Sequence, residues 1–278
     1  MRLATFSNKG TVTETEDGLF AKNPFFAVLD GSSAYEPAGK IRYRNQSSGQ
    51  AVRDLVRKEF SLLKPKKPLR DLMLAINRKV GLFQKNKMNV RLERSDLLAG
   101  VCLAAIKVGP NSIECAQAGD CYILWVSKKD QPAITPNQSF LCEKAELKII
   151  RKLMIKHSGD RKKMWQDFAP ELAASRLKRV NKKVRDGYGF LNGQTEFAQC
   201  LNSFSLTRNK VRNILLFSDG LTYFPDTKNP KTLANKVWAL YKKGGFRAVL
   251  QNTRDKQKKH VGRSYVDYDE ATAIAISL

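Results

Sequence analysis

In the stretch NILLFSDGL (213–221), a run of four apolar residues, 214–217, ends abruptly in Ser218-Asp219-Gly220. A run this short, bounded by polar residues, reads as a strand buried on both faces. A carboxylate at the mouth of a buried strand, followed by a glycine that lets the chain turn sharply, suits a hard metal ion or a phosphate group. Asp-Gly is also an ordinary turn dipeptide, so one occurrence decides nothing. The pattern recurs. PFFAVLDG (24–31) ends in Asp30-Gly31, the run 111–120 ends in Gly119-Asp120, and Asp269 opens an apolar run at 271–276. Repetition at strand ends, in a chain with 26 Asp+Glu against 50 Lys+Arg, argues against a coincidence of turns. Mg²⁺ and Mn²⁺ take oxygen ligands and keep several waters. Two such ions with a bridging water would activate that water for in-line attack on phosphorus.

The elements that must position these carboxylates are legible from periodicity. Strands are expected at 2–7, 18–21 and 25–29, with the acidic cluster Glu14, Glu16 and Asp17 just before the second. Residues 32–48, polar and containing Pro37 and Gly39, read as a loop. Apolar residues at helical spacing predict helices over 50–63 and 69–83, with lysine and arginine on their outer faces. Further strands are expected at 97–108, 111–117 and 121–126, joined by connections too short for a doubly wound parallel sheet. Residues 128–192 are charge-rich and predict helices at 147–155 and 170–184. No Gly, Ser or Pro linker isolates them. They read as a basic helical insertion within a single domain spanning 1–278. Strands at 197–206 and 211–217, helices at 231–243 and 246–258 separated by Gly244-Gly245, and a last strand at 271–276 complete the order. Antiparallel strands with helix pairs between them predict an α+β fold, two packed sheets flanked by helices.

Composition bounds the function classes. A hydrophobic content of 42% over 278 residues supports a full core. No apolar run approaches the roughly 18 residues of a membrane span, and residues 1–10 lack the apolar core of a signal peptide, so an intracellular, cytoplasmic location is expected. The five cysteines form no CxxC pair and read as small core residues. Trp125, Trp165 and Trp238 lie in apolar-periodic segments and are expected in the core. The net charge of +24 attracts polyanions, including phosphorylated proteins. It is accompanied by no recognisable nucleic-acid motif. The basic runs at 161–163 and 178–185 offer a docking surface for an acidic partner, or simply a solvated helix face.

The order and spacing of five short motifs resemble the metal-dependent protein phosphatase 2C family. Thr15-Glu16-Asp17 resembles its first acidic motif, FAVLDG (26–31) its FxVxDG, and AGDC (118–121) its xGDSR. LLFSDGL (215–221) resembles LLxSDGL, and DEAT (269–272) resembles DNxT. The resemblance implies a four-layer α-β-β-α sandwich and a protein serine/threonine phosphatase that uses two Mg²⁺ or Mn²⁺ ions and a water between them. By the same resemblance, Asp30 bridges the two metals and the Gly31 carbonyl binds one. Asp219 and Asp269 hold one metal, Asp17 or its neighbour Glu16 reaches the other, and Asp120 with Asp219 builds a weaker third site. The chain departs from the family on the substrate side. No arginine occurs at 10–14, where the family commonly grips the substrate phosphate, and Ser32 and Ser33 follow the Asp-Gly where some members have histidine. Tyr122 or Ile123 takes the place of the arginine after GDS, and Glu270 that of the asparagine in DN. Lys40, Arg42 and Arg44 are the candidate replacements for the missing cation. With metal ligands intact and substrate-side groups altered, the alternative is a catalytically weak member that binds partners through its basic surface.

Overall fold

The computed structural model describes residues 1–36, 39–261 and 268–278, apart from the side chains of residues 36, 161, 260 and 261. The chain opens with β1 (Arg2–Asn8), β2 (Asp17–Lys22) and β3 (Phe25–Ser32). The expected loop then carries two small ladders, β4 (Tyr35–Glu36) with β5 (Gly39–Lys40) and β6 (Arg42–Tyr43) with β7 (Gln46–Ser47). Helices α1 (Ser48–Ser61) and α2 (Leu69–Lys87) follow. Strands β8 (Gly100–Val108), β9 (Ser112–Ala118), β10 (Tyr122–Ser127) and β11 (Pro132–Ile134) come next. Helices α3 (Phe140–Lys156), α4 (Arg161–Arg179) and α5 (Phe197–Cys200) lead to β12 (Asn202–Thr207) and β13 (Val211–Phe217). Helix α6 (Pro230–Val261), broken at Gly244-Gly245, and β14 (Ala271–Ser277) end the chain.

The strands form two five-stranded antiparallel sheets. One has the order β1-β14-β13-β10-β11 and the other β12-β9-β8-β3-β2. Three apolar clusters show how they stack. Phe26, Val28, Ala104 and Ile106 of one sheet meet Ile214, Leu216, Ile274 and Ile276 of the other. Phe25, Ala27 and Leu29 face the opposite way, onto Val52, Met73 and Ile76 of α1 and α2. Leu215, Phe217 and Ala273 face Leu233, Trp238 and Phe246 of α6. The result is the four-layer α-β-β-α sandwich. It also explains why β3 and β13 read as unbroken apolar runs: both faces of each are buried, so the usual alternation of polar and apolar residues disappears.

Four expectations need correction. The strand expected at 97–108 begins at Gly100, and α5 occupies the first residues of the strand expected at 197–206. The helix expected at 170–184 is α4, which starts at Arg161 and encloses Pro170. Its start is set by Asp160, whose side chain accepts a hydrogen bond from the Lys163 amide. Trp165 is 42% exposed instead of buried, and its ring stacks on Tyr35 of β4 with centroids 5.7 Å apart. All five cysteines are free, and Cys102, Cys115, Cys121 and Cys142 are buried.

Ser47 shows how one residue joins fold to site. Its hydroxyl accepts from the Gln50 amide at 3.2 Å, and its own amide donates to Gln50 Oε1 at 3.0 Å, a reciprocal cap on α1. The same hydroxyl donates to Glu16 Oε1 at 2.5 Å. Ser47→Ala removes both the cap and one partner of a buried carboxylate. We expect a loss of about 1–2 kcal/mol, read as a fall of a few degrees in thermal midpoint.

Candidate metal centre

Strand parity delivers the carboxylates to one place. On β3, Phe26 and Val28 point between the sheets, and Asp30 continues that face. On β2, Leu19 and Ala21 pack into the same inter-sheet layer, and Asp17 shares their parity. Asp17 and Asp30 are direct cross-strand partners, so their side chains stand side by side. The other sheet supplies Asp219, in a tight turn just after β13, and Asp269, just before β14. Asp120 sits between β9 and β10, where the chain crosses from one sheet to the other. The residues read from sequence as Asp17, Asp30, Asp120, Asp219 and Asp269 thus surround one end of the sandwich. Asp30 and Asp120 are close enough that a carboxylate oxygen of each and the Cys121 sulfur lie within 4.8 Å of one another.

Two glycines permit the approach. Gly119 has φ +73°, and a side chain there would strike the Cys102 sulfur at 2.2 Å. At Gly31 a side chain would meet the Glu16 carbonyl oxygen at 2.7 Å, and the Gly31 amide donates to that oxygen at 3.2 Å. The carbonyl and amide of Glu16-Asp17 are thereby held against β3.

The electrostatics are those of crowded anions, with the Arg254 charge acting against the repulsion at Asp269. Burial pushes the Asp30 carboxyl well above its ordinary range, and the neighbouring Asp17, Asp219, Asp120 and Asp269 push it further. Asp219 is raised well above its usual value by burial and then by Asp269 and Asp120. Asp17 is raised to about 8, chiefly by burial, against an opposing hydrogen bond from Ser218. Asp269 is raised by burial. The Ser218 hydroxyl donates to Asp17 Oδ2 at 2.7 Å. Such a bond contributes about 1 kcal/mol. Two carboxylates ~5 Å apart repel by roughly 3 kcal/mol at an effective dielectric constant near 20, so hydroxyl donors cannot offset the cluster. Protons or cations must. Among the described residues, Asp120 Oδ1 is buried with no hydrogen-bond partner. An all-carboxylate donor set with an orphaned buried oxygen fits a hard divalent cation.

Glu16, the alternative to Asp17, has the opposite parity and turns away. Its Oε1 accepts from Ser33 Oγ at 2.6 Å, Ser47 Oγ at 2.5 Å and Lys40 Nζ at 3.1 Å, and its Oε2 from the Ser33 amide at 3.2 Å. It anchors β2 to the start of α1 and leaves the cluster to Asp17. The three cations expected on the substrate side each have another partner, although Lys40 also lines the cleft beside the carboxylates. Lys40 pairs with Glu16, and Arg42 pairs with Glu14 at 2.8 Å and donates to the Asn45 carbonyl. Exposed Arg44 lies over the Tyr43 ring, 5.3 Å from its centre.

The structure adds three residues. Glu270, the apparent departure from DNxT, is buried and clamps the first acidic motif: Oε1 accepts from the Glu16 amide at 2.5 Å and Oε2 from the Asp17 amide at 3.0 Å. Glu143 of α3 lies beside Asp120, its carboxyl raised to about 8 by burial and by the Asp120 charge. The Ser139 hydroxyl lies against both, 3.2 Å from Asp120 Oδ2 and in closer contact with Glu143 Oε1. Arg176 of α4 reaches Ser32, with Nη2 donating to its hydroxyl at 2.8 Å. No sequence signal located Glu143 or Arg176, because their positions depend on how α3 and α4 fold over the cleft. That cleft, about 890 Å³, is lined by Asp30, Asp120, Asp219, Glu143, Trp165 and Arg176.

No model of a known protein family matches the sequence, and no curated protein matches it. Solved structures do match in fold. The catalytic domain of the serine/threonine protein phosphatase PstP, in complex with two manganese ions, superposes with a TM-score of 0.56 at 16% identity, over 99% of this chain and 96% of that one. Serine/threonine phosphatase Stp1 from Staphylococcus aureus gives 0.58 at 17% identity, over 99% and 94%. The PPM Ser-Thr phosphatase MsPP from Mycobacterium smegmatis, in complex with cacodylate, gives 0.54 at 14% identity, over 100% and 98%. The chain shares their fold over nearly its whole length. Among the described residues, no helix is long and apolar enough to cross a membrane.

Proposed function

We propose that this chain is a metal-dependent protein serine/threonine phosphatase of the phosphatase 2C (PPM) type, hydrolysing phosphomonoesters with Mg²⁺ or Mn²⁺. The observation that carries the reading is the convergence of Asp17 and Asp30 from one sheet with Asp219 and Asp269 from the other, at the mouth of a cleft with no neutralising cation bonded to their carboxylates among the described residues. A fold shared with phosphatases of this type supports it. Asp30 and Asp17, with the Gly31 carbonyl, Asp219 and Asp269, are the residues that would hold two ions, and Asp120 with Asp219 a weaker third. The chemistry such ions supply is activation of water for in-line attack on phosphorus and neutralisation of the phosphoryl oxygens.

The chain's own contribution is to hold these ligands rigidly. Glu270 fixes the backbone of Glu16-Asp17 from the opposite sheet, and Ser218 orients the Asp17 carboxylate. The Asp269 backbone carbonyl is held by Arg254 Nη2. Residues 1–278 act as one unit in this reading, with α3 and α4 forming a wall of the cleft. Release of inorganic phosphate from phosphoserine and phosphothreonine peptides, with Mn²⁺ or Mg²⁺ added to the stripped protein and with chelator as control, tests it. Metal-dependent release is expected. A phosphopeptide panel left intact under both metals counts against the reading.

A stability effect follows. The Asp17 carboxyl moves from 3.8 to about 8 in the metal-free fold, so between these values the folded chain binds more protons than the unfolded one. The Asp17 contribution to the stability of the metal-free protein is therefore fully present below this window and is lost as pH rises through it, by ~1.4 kcal/mol per pH unit. Divalent metal binds the deprotonated cluster. The rise in thermal midpoint produced by saturating Mn²⁺ should therefore be larger at pH 8 than at pH 6. Thermal melts with and without Mn²⁺ check this. Equal effects at the two pH values would contradict it.

A further inference from the structure

The phosphoryl-binding cation is absent from the segment before Glu16-Asp17, Lys40 lines the cleft but is paired with Glu16, Arg42 is paired with Glu14, and Arg44 lies over the Tyr43 ring. Arg176 is in a different situation. It is 5% exposed, and it is one of the residues lining the cleft that holds the carboxylates. Nη2 donates to Ser32 Oγ at 2.8 Å, and among the described residues Nη1 is buried with no hydrogen-bond partner. The ring of Phe190 lies 5.8 Å from Cζ and fixes the plane of the group from one side. The Ser95 hydroxyl donates to the Arg176 carbonyl at 3.3 Å and ties down its backbone. Ser32 lies two residues beyond Asp30 on β3, so its hydroxyl shares the Asp30 face. The spacing along a strand puts the guanidinium's anchor roughly 7 Å from the Asp30 position.

A buried guanidinium that bonds no carboxylate among the described residues is costly unless an anion completes it. The planar fork, with a free donor beside one already held by Ser32, matches the paired oxygens of a phosphate group. We propose that Arg176 binds the phosphoryl group of the substrate, so that the basic helical insertion, through α4, supplies the anion-binding half of the site while the strand ends supply the metal-binding half. The proposal rests on the phosphatase reading for its substrate, a phosphomonoester. Its ligand chemistry, a tetrahedral oxyanion, is testable without turnover. A purely structural Arg176 would only pin α4 to β3 through Ser32. A phosphate-binding Arg176 must also change the affinity for phosphate.

The experiment compares wild type with Arg176→Ala, Arg176→Lys and Ser32→Ala, all loaded with Mn²⁺. Three quantities are measured: KM for p-nitrophenyl phosphate, the inhibition constant of inorganic phosphate, and direct phosphate binding by calorimetry. Arg176→Ala should weaken phosphate binding and raise KM at least about tenfold, the scale of one lost charge-assisted hydrogen bond, with Mn²⁺ affinity unchanged. Arg176→Lys, which keeps the charge without the fork, should recover part of the loss, and Ser32→Ala should fall between wild type and Arg176→Ala. Phosphate affinity and KM within twofold of wild type in a folded Arg176→Ala protein would overturn the proposal. Should Arg176→Ala fail to fold, unchanged phosphate affinity in both Arg176→Lys and Ser32→Ala would overturn it equally. A wild-type protein that binds phosphate through Arg176 and hydrolyses nothing would sink the phosphatase reading and leave this one standing.

Discussion

Asp30→Asn should abolish metal-dependent phosphomonoester hydrolysis while leaving a protein that folds better without metal than the wild type does. Asparagine keeps the shape of aspartate and removes its charge. Asp30 faces Asp17 across the β2–β3 ladder and feels Asp219, Asp120 and Asp269 as well. From this position carboxylates of both sheets are within electrostatic reach. In the proposed site Asp30 would be a shared ligand, and its loss would remove charge stabilisation of several kcal/mol from the transition state. At ~1.4 kcal/mol per tenfold, that is about a thousandfold or more in kcat/KM. The metal-free fold responds in the opposite direction. Burial and like-charge neighbours both oppose ionisation of Asp30, and a neutral amide relieves that repulsion. A higher thermal midpoint in chelator, together with lost turnover in saturating Mn²⁺, separates a ligand from a residue needed for folding. Turnover within tenfold of wild type would contradict the assignment of Asp30.

Gly220→Ala carries the second large effect, through the backbone. A side chain at Gly220 would sit 1.6 Å from the Glu270 carbonyl oxygen and 2.6 Å from its carbonyl carbon. Both obstacles are main chain, so no side-chain rotation relieves the clash. The turn after β13 and the segment entering β14 must part. Overpacking a close-packed interior costs about 1–3 kcal/mol, sometimes more, and a clash between two backbones belongs at the upper end. For a domain of this size, ~3 kcal/mol corresponds to a fall of about 5 °C in thermal midpoint. The displaced residues are Asp219, Asp269 and Glu270, and Glu270 holds the amides of Glu16 and Asp17. Loss of activity at temperatures where the variant remains folded is therefore expected alongside the destabilisation. Thermal melts and an activity assay at 20 °C measure both.

Much of this arrangement is legible in the sequence. The apolar runs ending in Asp30-Gly31 and Asp219-Gly220 are strands for the reason the sequence suggests: burial on both faces leaves no room for polar alternation. That same uniformity hides the parity of the strands, since Phe25 and Phe26 look alike in sequence yet face different layers. On β2 the structure supplies the parity: Leu19 and Ala21 pack between the sheets while Phe20 packs the other way, and this separates Asp17 from Glu16, which the sequence leaves as alternatives. Pro170 misleads because proline usually opens or breaks a helix, whereas α4 begins at Arg161 behind the Asp160 cap and runs through it. Glu270 reads in the sequence as a substrate-side departure from DNxT and is a clamp between the sheets. A carboxylate one carbon longer than aspartate can accept from two consecutive amides of the opposite sheet, and no local pattern announces that. Glu143 and Arg176 belong to charge-rich helices that read as solvated surface. Their roles arise from tertiary placement alone, where burial and a missing partner distinguish Arg176 from the chain's many solvated basic residues.

The most direct test of the central claim is an anomalous difference map at the manganese absorption edge, from crystals of the wild-type protein grown with Mn²⁺. Peaks should lie among the side chains of Asp17, Asp30, Asp219 and Asp269, with Asp30 touching more than one, and they should vanish from the same map for Asp30→Asn. An empty carboxylate cluster in a crystal of metal-activated protein, or manganese bound only elsewhere on the chain, would contradict the account.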